Sequence, residues 1–236
     1  MEKQDLHPWA RPARYLTEFV GTFILVFVGT GAMVIDGVTE GTVTNVGIGI
    51  TFGLIVMVVI VATGHLSGAH INPAVTLAFA LTRHFRRGDI IPYWIAQLTG
   101  ATAASAVVLG LFGNVNDLGA TLPHGSAAQS FWLELFLTAI LMFAIMSVAT
   151  DSKIVREHAA IVIGATVGLE AIFAGPISGA SMNPARSFGP ALIGTMMDHH
   201  WIYWAGPILG AIVGAFLYKG LRIAQEGQNE NGREDD

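Results

Sequence analysis

The sequence predicts an all-α membrane protein, with six transmembrane helices plus two re-entrant half-helices arranged as an inverted repeat. Three observations carry this. The 236 residues are 53% hydrophobic and only 12% charged, where a soluble domain carries about 25% charged residues. Six apolar stretches reach the length of about 20 residues that a bilayer core requires. Two further stretches are too short to cross, and each opens on Asn-Pro-Ala.

Taken in order, the expected spans cover 15–35, 43–64, 90–112, 130–150, 159–176 and 201–221. The first, from Tyr15 to Ile35, exceeds the 7–15 residues, roughly, of a signal-peptide core and reads as a span. The short stretches cover 72–82 and 183–194. These elements divide the chain into an N-terminal segment 1–14, a membrane domain 15–222, and an acidic tail 223–236 whose composition predicts disorder. Within the membrane domain, one repeat spans about 15–115 and the other about 128–222. Small residues at four-residue spacing, Gly206-Gly210-Gly214 and Ala96-Gly100-Ala104, predict close helix packing in lipid.

Charge orients the chain. Lys3, Arg11, Arg14, Arg83, Arg86, Arg87, Lys153, Arg156, Lys219, Arg222 and Arg233 fall on one side of a six-span topology, eleven of the twelve basic residues. The positive-inside rule makes that side, with both termini, cytoplasmic in a multi-pass plasma or inner membrane protein. The opposite loops carry Asp36, Glu40 and Asp117 but no Lys or Arg. Arg186 alone lies elsewhere and needs its own reason. The net charge of −5 argues against a nucleic-acid partner, and the chain has no cysteine for a disulfide or thiolate site. No metal-ligand spacing, nucleotide loop or nucleophile motif is present, so neither a metal nor another cofactor is expected and an enzyme is disfavoured.

The repeat is explicit. Ser67-Gly68-Ala69-His70-Ile71-Asn72-Pro73-Ala74 matches Ser178-Gly179-Ala180-Ser181-Met182-Asn183-Pro184-Ala185 at an offset of 111. Glu18, Thr22, Leu25 and Phe27 match Glu134, Thr138, Leu141 and Phe143 at an offset of 116. Each half holds three spans, an odd number, so the second half must sit inverted relative to the first. Inverted repeats place their site near midplane where the halves meet.

Asn caps helix N-termini and Pro suits the first helical position, so each Asn-Pro-Ala reads as the start of a short helix. Entering from opposite faces, the two N-termini meet. Their dipoles disfavour cations there, and Asn72 and Asn183 can offer N–H donors to a neutral permeant. The preceding residues, Gly68, Ala69, His70 and Ile71 in one half and Gly179, Ser181 and Met182 in the other, must be irregular at membrane depth. Such backbone is tolerated only when buried or lining a water-filled cavity, and here its carbonyls can form an acceptor ladder.

These motifs, with Gly64-His65-Leu66-Ser67-Gly68-Ala69-His70 and Asn183-Pro184-Ala185-Arg186-Ser187-Phe188-Gly189-Pro190, resemble the major intrinsic protein (aquaporin and glycerol facilitator) family from Glu18 to about Arg222. The resemblance implies a passive transmembrane channel in membrane lipid, a homotetramer with one pore per subunit. It would pass water and small neutral solutes and exclude protons and ions. It also implies a selectivity filter of Phe52, Ala171, Ala180 and Arg186, which accounts for the one arginine away from the basic side. Ala171 stands where water-selective members usually carry histidine and glycerol facilitators a small residue, whereas Ser187, Ala191, Tyr203 and Trp204 match water channels. Ala174 to Asn183 resembles nodulin-like members, some of which carry metalloids. Water, glycerol-like polyols and neutral metalloid hydroxides all remain open as permeants.

An intramembrane acid suggests function by default. Glu18 and Glu134 could form a proton relay with His65 and His70, but as repeat equivalents they read better as structural acceptors for loop N–H groups. His65 and His70 are then loop anchors, and His199 and His200 solvated. Glu170, which has no repeat partner, adjoins Ala171 and is read as a support for the filter loop. Trp94, Trp132, Trp201, Tyr203 and Trp204 are assigned mostly to an interfacial belt, and Trp9 to the cytoplasmic surface. The alternative function is a proton-coupled secondary transporter of a small neutral solute, since inverted repeats with broken helices also occur there.

Overall fold

The computed structural model describes the backbone of residues 10–150 and 156–234 and the side chains of 11–150 and 158–225. Trp9, Lys3 and Lys153 lie outside the described residues. Within them the chain forms eight α-helices and no strand: α1 (Ala10–Val38), α2 (Thr44–Ser67), α3 (Pro73–Leu81), α4 (Ile90–Phe112), α5 (Ala127–Ala149), α6 (Arg156–Ser178), α7 (Pro184–Ile193) and α8 (Ile202–Glu234). Six of them are long and apolar enough to span a membrane. A single 3-10 turn, Arg87–Asp89, precedes α4, and a short left-handed turn, Asn116–Gly119, follows it.

The half-helices begin where capping chemistry dictates. Asn72 is extended (φ −157°) and its side-chain oxygen accepts the N–H of Ala74, with Pro73 first in α3. Asn183 is likewise extended (φ −152°) and accepts from Ala185 and Arg186 at the head of α7. α8 runs on to Glu234, into the acidic segment whose composition predicts disorder. A helix already nucleated in the membrane extends by one hydrogen bond per added residue, a cost that composition alone does not report.

Packing follows the repeat. α1 lies on α4 and α2 as α5 lies on α8 and α6, and α4 against α7 mirrors α8 against α3. The pairs α2–α6 and α3–α7 close the bundle between the halves. Small residues set the approach. Gly210 and Gly214 face the carbonyls of Leu135 and Ala139 on α5, and Gly100 faces that of Phe19 on α1, so no side chain fits there. A comparable row on α2, Gly49 and Gly53, meets Gly164 and Gly168 of α6. Large apolar side chains such as Leu16, Leu54, Phe136, Leu169 and Phe173 point outward, as a lipid-facing surface requires.

The aromatic residues divide. Trp132 and Trp201 are exposed. Trp94 instead donates its indole N–H to the Pro73 carbonyl at 3.0 Å and packs edge-on against Trp204, while Tyr203 is fully buried. The belt therefore accounts for fewer of these residues than the sequence suggests, because span-end positions here also face the half-helices.

Candidate functional site: a pore at the junction of the half-helices

Two irregular segments lead into the capping asparagines. Gly68, Ala69 and Ile71 have φ of 93°, 47° and 44°; Gly179, Ala180 and Met182 have 84°, 39° and 53°. A β-branched isoleucine in the left-handed region is a genuine outlier, of the kind that persists only where its surroundings hold it. Here a carboxylate does so in each half. Glu18 accepts from the Ser67 hydroxyl (2.7 Å), the N–H groups of His70 (2.9 Å) and Ile71 (2.7 Å), and the Gln97 amide (2.8 Å). Glu134 accepts from the Ser178 hydroxyl (2.7 Å) and the N–H groups of Ser181 and Met182 (both 2.8 Å). The backbone donors that the irregular geometry leaves unpaired are thus satisfied, and both acids are engaged by these loop donors.

The halves meet through reciprocal bonds. Asn72 donates from its amide to the Met182 carbonyl at 2.8 Å, and Asn183 donates to the Ile71 carbonyl at 2.8 Å. Both helices start at this crossing, so α3 and α7 diverge from it with their positive dipole ends together. Each amide carries two N–H groups and uses one, leaving a second for another oxygen.

A cavity of about 760 Å³ passes this junction. Its walls include Gly68, Ala69, His70, Ile71, Asn72, Ala180, Ser181, Met182, Asn183 and Arg186, faced by the apolar Val56, Ile60, Leu141, Ile145, Ile163 and Val167. One end lies at His65, His84 and Thr150; the other at Phe52, Ala171, Ala180 and Arg186. A second cavity, of about 110 Å³, begins at those same four residues and adds Met33, Asn45, Ile48, Gly175, Pro176 and Gly179. The quartet is therefore the wall common to both spaces. Pro73, Ala74, Pro184 and Ala185 lie in the first turns of α3 and α7, buried behind the asparagines.

Arg186 is held by three contacts. One guanidinium nitrogen donates to the Gly119 carbonyl at 2.7 Å, another reaches the Met33 sulfur at 3.1 Å, and the carbon lies 4.9 Å from the Phe52 ring centroid. Such a cation over an aromatic face is attracted by the ring quadrupole. Of five N–H donors, the remainder are available to the space between the cavities.

The histidines separate. His70 is buried, hydrogen-bonded through Nδ1 to Thr76 (3.1 Å), and packed on Phe79, Phe85 and Tyr93. His65 is exposed, lines the cavity, and makes no hydrogen bond among the described residues. His84 lines it too; burial, then the charges of Lys219 and Arg222, lower its pKa. His200 is not solvated: it is buried, accepts from the Trp204 indole N–H at 3.2 Å, and its pKa is lowered by burial. The Glu170 carboxyl is buried with no hydrogen-bond partner among the described residues, and so does not hold the filter loop by a bond.

Sequence reasoning missed Gly119, Met33, Asn45 and Gln97. None belongs to the repeated motif, and each acts through a contact with a distant part of the chain. An apolar wall opposite the carbonyls was expected, but its residues were not assigned, because spans that are apolar all round do not disclose which face turns inward.

The model of the major intrinsic protein family matches residues 6–218. Among curated proteins, the chain is 46% identical over 214 residues to Aquaporin NIP1-1 of Oryza sativa subsp. japonica, covering 90% of this chain and 75% of that one. It is also 46% identical over 219 residues to Aquaporin NIP2-1 of the same plant, covering 93% and 74%. Among solved structures it is similar to the aquaglyceroporin from Plasmodium falciparum, with a TM-score of 0.77, 27% identity, and coverage of 88% and 93%.

Proposed function

The chain belongs to the major intrinsic protein family, and from that premise we propose where its selectivity resides and which solutes it admits. It is a passive channel for water and small neutral solutes, and not an enzyme. In our reading Phe52, Ala171, Ala180 and Arg186 form the selective aperture, and the junction of Asn72 and Asn183 forms a second checkpoint. The carbonyls of the two irregular segments carry the permeant between them. The observation that carries this reading is the shared wall: two cavities, otherwise lined by different residues, are each lined by all four residues of the quartet.

Two alanines in that wall leave an aperture wider than a single water demands, bounded by one cation and one aromatic ring. A polyol fits this chemistry, with hydroxyls on the Arg186 donors and carbon backbone along Phe52. So does a neutral metalloid hydroxide, which is all hydroxyl. The similarity to a protein described as an aquaglyceroporin supports the wider set. Protons and cations are excluded because Arg186 carries a permanent charge and the two half-helix N-termini present partial positive charge at the junction.

The assembly we propose is a homotetramer, oriented with the face bearing Arg83, Arg86 and Arg87 in the cytoplasm, as the charge bias supports. The test of function is stopped-flow volume change of proteoliposomes exposed in parallel to water, glycerol and a neutral metalloid acid. Downhill flux without a pH gradient is expected for all three. Accumulation driven by a proton gradient would instead support a coupled transporter.

A further inference from the structure

Helix α6 contains Pro176. Proline has no N–H, so the carbonyl four residues earlier, that of Ile172, loses its helical donor. The donor comes from another helix: Asn45, in the first turn of α2, gives its amide N–H to the Ile172 carbonyl at 2.8 Å. Its side chain lies along the proline turn, since a Cβ built on Gly175 would stand 3.3 Å from Asn45 Oδ1.

This bond ends a ridge. Asn45, Gly49 and Gly53 lie four residues apart on one face of α2. A Cβ at Gly49 would meet the Ile172 backbone nitrogen at 2.9 Å and the Gly168 carbonyl at 3.0 Å; one at Gly53 would meet the Gly164 carbonyl at 2.7 Å. The glycines let the two backbones touch, and beyond them, where α6 breaks its own ladder, Asn45 takes over. The same helices carry two walls of the aperture: Phe52 on α2, and Ala171, the residue before Ile172, on α6. Both Asn45 and Pro176 also line the smaller cavity.

We propose that Asn45 is a positioning residue of the aperture, which ties the proline-broken turn of α6 to α2 and so sets the opening between Phe52 and Ala171. Asn45 is exposed, so water could serve the Ile172 carbonyl in its absence. What water cannot supply is the tie. The inference rests on the aperture proposed above.

The measured quantity is the ratio of glycerol to water permeability in proteoliposomes, because the number of folded channels cancels from it. For Asn45→Ala the ratio should rise about threefold, the scale set by one modest hydrogen bond. Asn45→Asp, of equal size but without the donor, should raise it equally. In a Pro176→Ala background the restored N–H closes the α6 ladder at Ile172, so the turn is held by its own helix and no longer depends on the tie to α2; Asn45→Ala should then change the ratio little. An unchanged ratio in Asn45→Ala, a wild-type ratio in Asn45→Asp, or equal effects in both backgrounds would each overturn the proposal. Ala171→His, measured alongside, separates the two readings. If it leaves the ratio unaltered, the aperture itself is misassigned; if it lowers the ratio while the Asn45 variants match wild type, only the role of Asn45 fails.

Discussion

The amide of Asn183 and the carbonyl of Ile71 lie 2.8 Å apart, although 112 residues separate them in the chain. That carbonyl belongs to a residue with φ 44°. The strained backbone of one half is thereby turned toward the helix cap of the other, and the reciprocal bond from Asn72 to Met182 repeats the arrangement.

Asn183→Asp should weaken this junction. The new oxygen faces the Ile71 carbonyl without a hydrogen to share, at a cost of about 1–3 kcal/mol. It also places a negative charge where two helix N-termini converge. Vesicles bearing a pH-sensitive dye are expected to report increased proton or cation leak at retained water permeability. A leak no greater than that of wild type would remove Asn183 from the exclusion mechanism.

Arg186→Val deletes the permanent charge between the cavities and the bonds to Gly119 and Met33. Glycerol flux should rise and exclusion of charged solutes relax. The check is parallel glycerol swelling and ion-conductance assays on equal amounts of inserted protein.

Glu18→Gln replaces one acceptor oxygen by an amide that faces the donors of Ser67, His70, Ile71 and Gln97. Hydrogen bonds to a charged acceptor contribute about 1.5–3 kcal/mol each, so losing even one should lower the apparent melting temperature in detergent by several degrees. Loss of solute flux without any loss of thermal stability would instead point to a proton-carrying role.

His200 gives a pH dependence. Burial lowers its pKa from the ordinary 6.5, and the Trp204 indole needs its Nε2 unprotonated. The neutral ring's contribution is complete above the unfolded value of 6.5 and drains away as pH falls through the lowered folded value. Melting temperature should therefore fall on acidification below about pH 6.5. In His200→Gln, which keeps an acceptor for Trp204, that acid-dependent fall should be shallower.

The helices were readable because their causes are local. A bilayer-length apolar run, or an Asn-Pro pair ahead of Ala, acts within one turn or one span. Each α3 and α7 boundary lies within one or two residues of the apolar stretch that announces it. The histidines were readable only in part. His65, His70 and His200 look alike in sequence, yet one is exposed and lines the cavity, one is locked to Thr76, and one is buried under Trp204. Their surroundings come from helices far away in the chain.

Composition, charge bias and the doubled Asn-Pro-Ala were enough, unaided, to establish six spans, two half-helices and an inverted relation between the halves, since each of these follows from short-range chemistry and counting. Only the tertiary structure decided that Gln97 joins the loop donors on Glu18, that Gly119 and Met33 grip Arg186, and that Asn45 answers the gap left by Pro176. Those are contacts between segments that the chain keeps apart. A hydrogen bond over such a distance depends on where packed helices bring two atoms, and no local pattern encodes that.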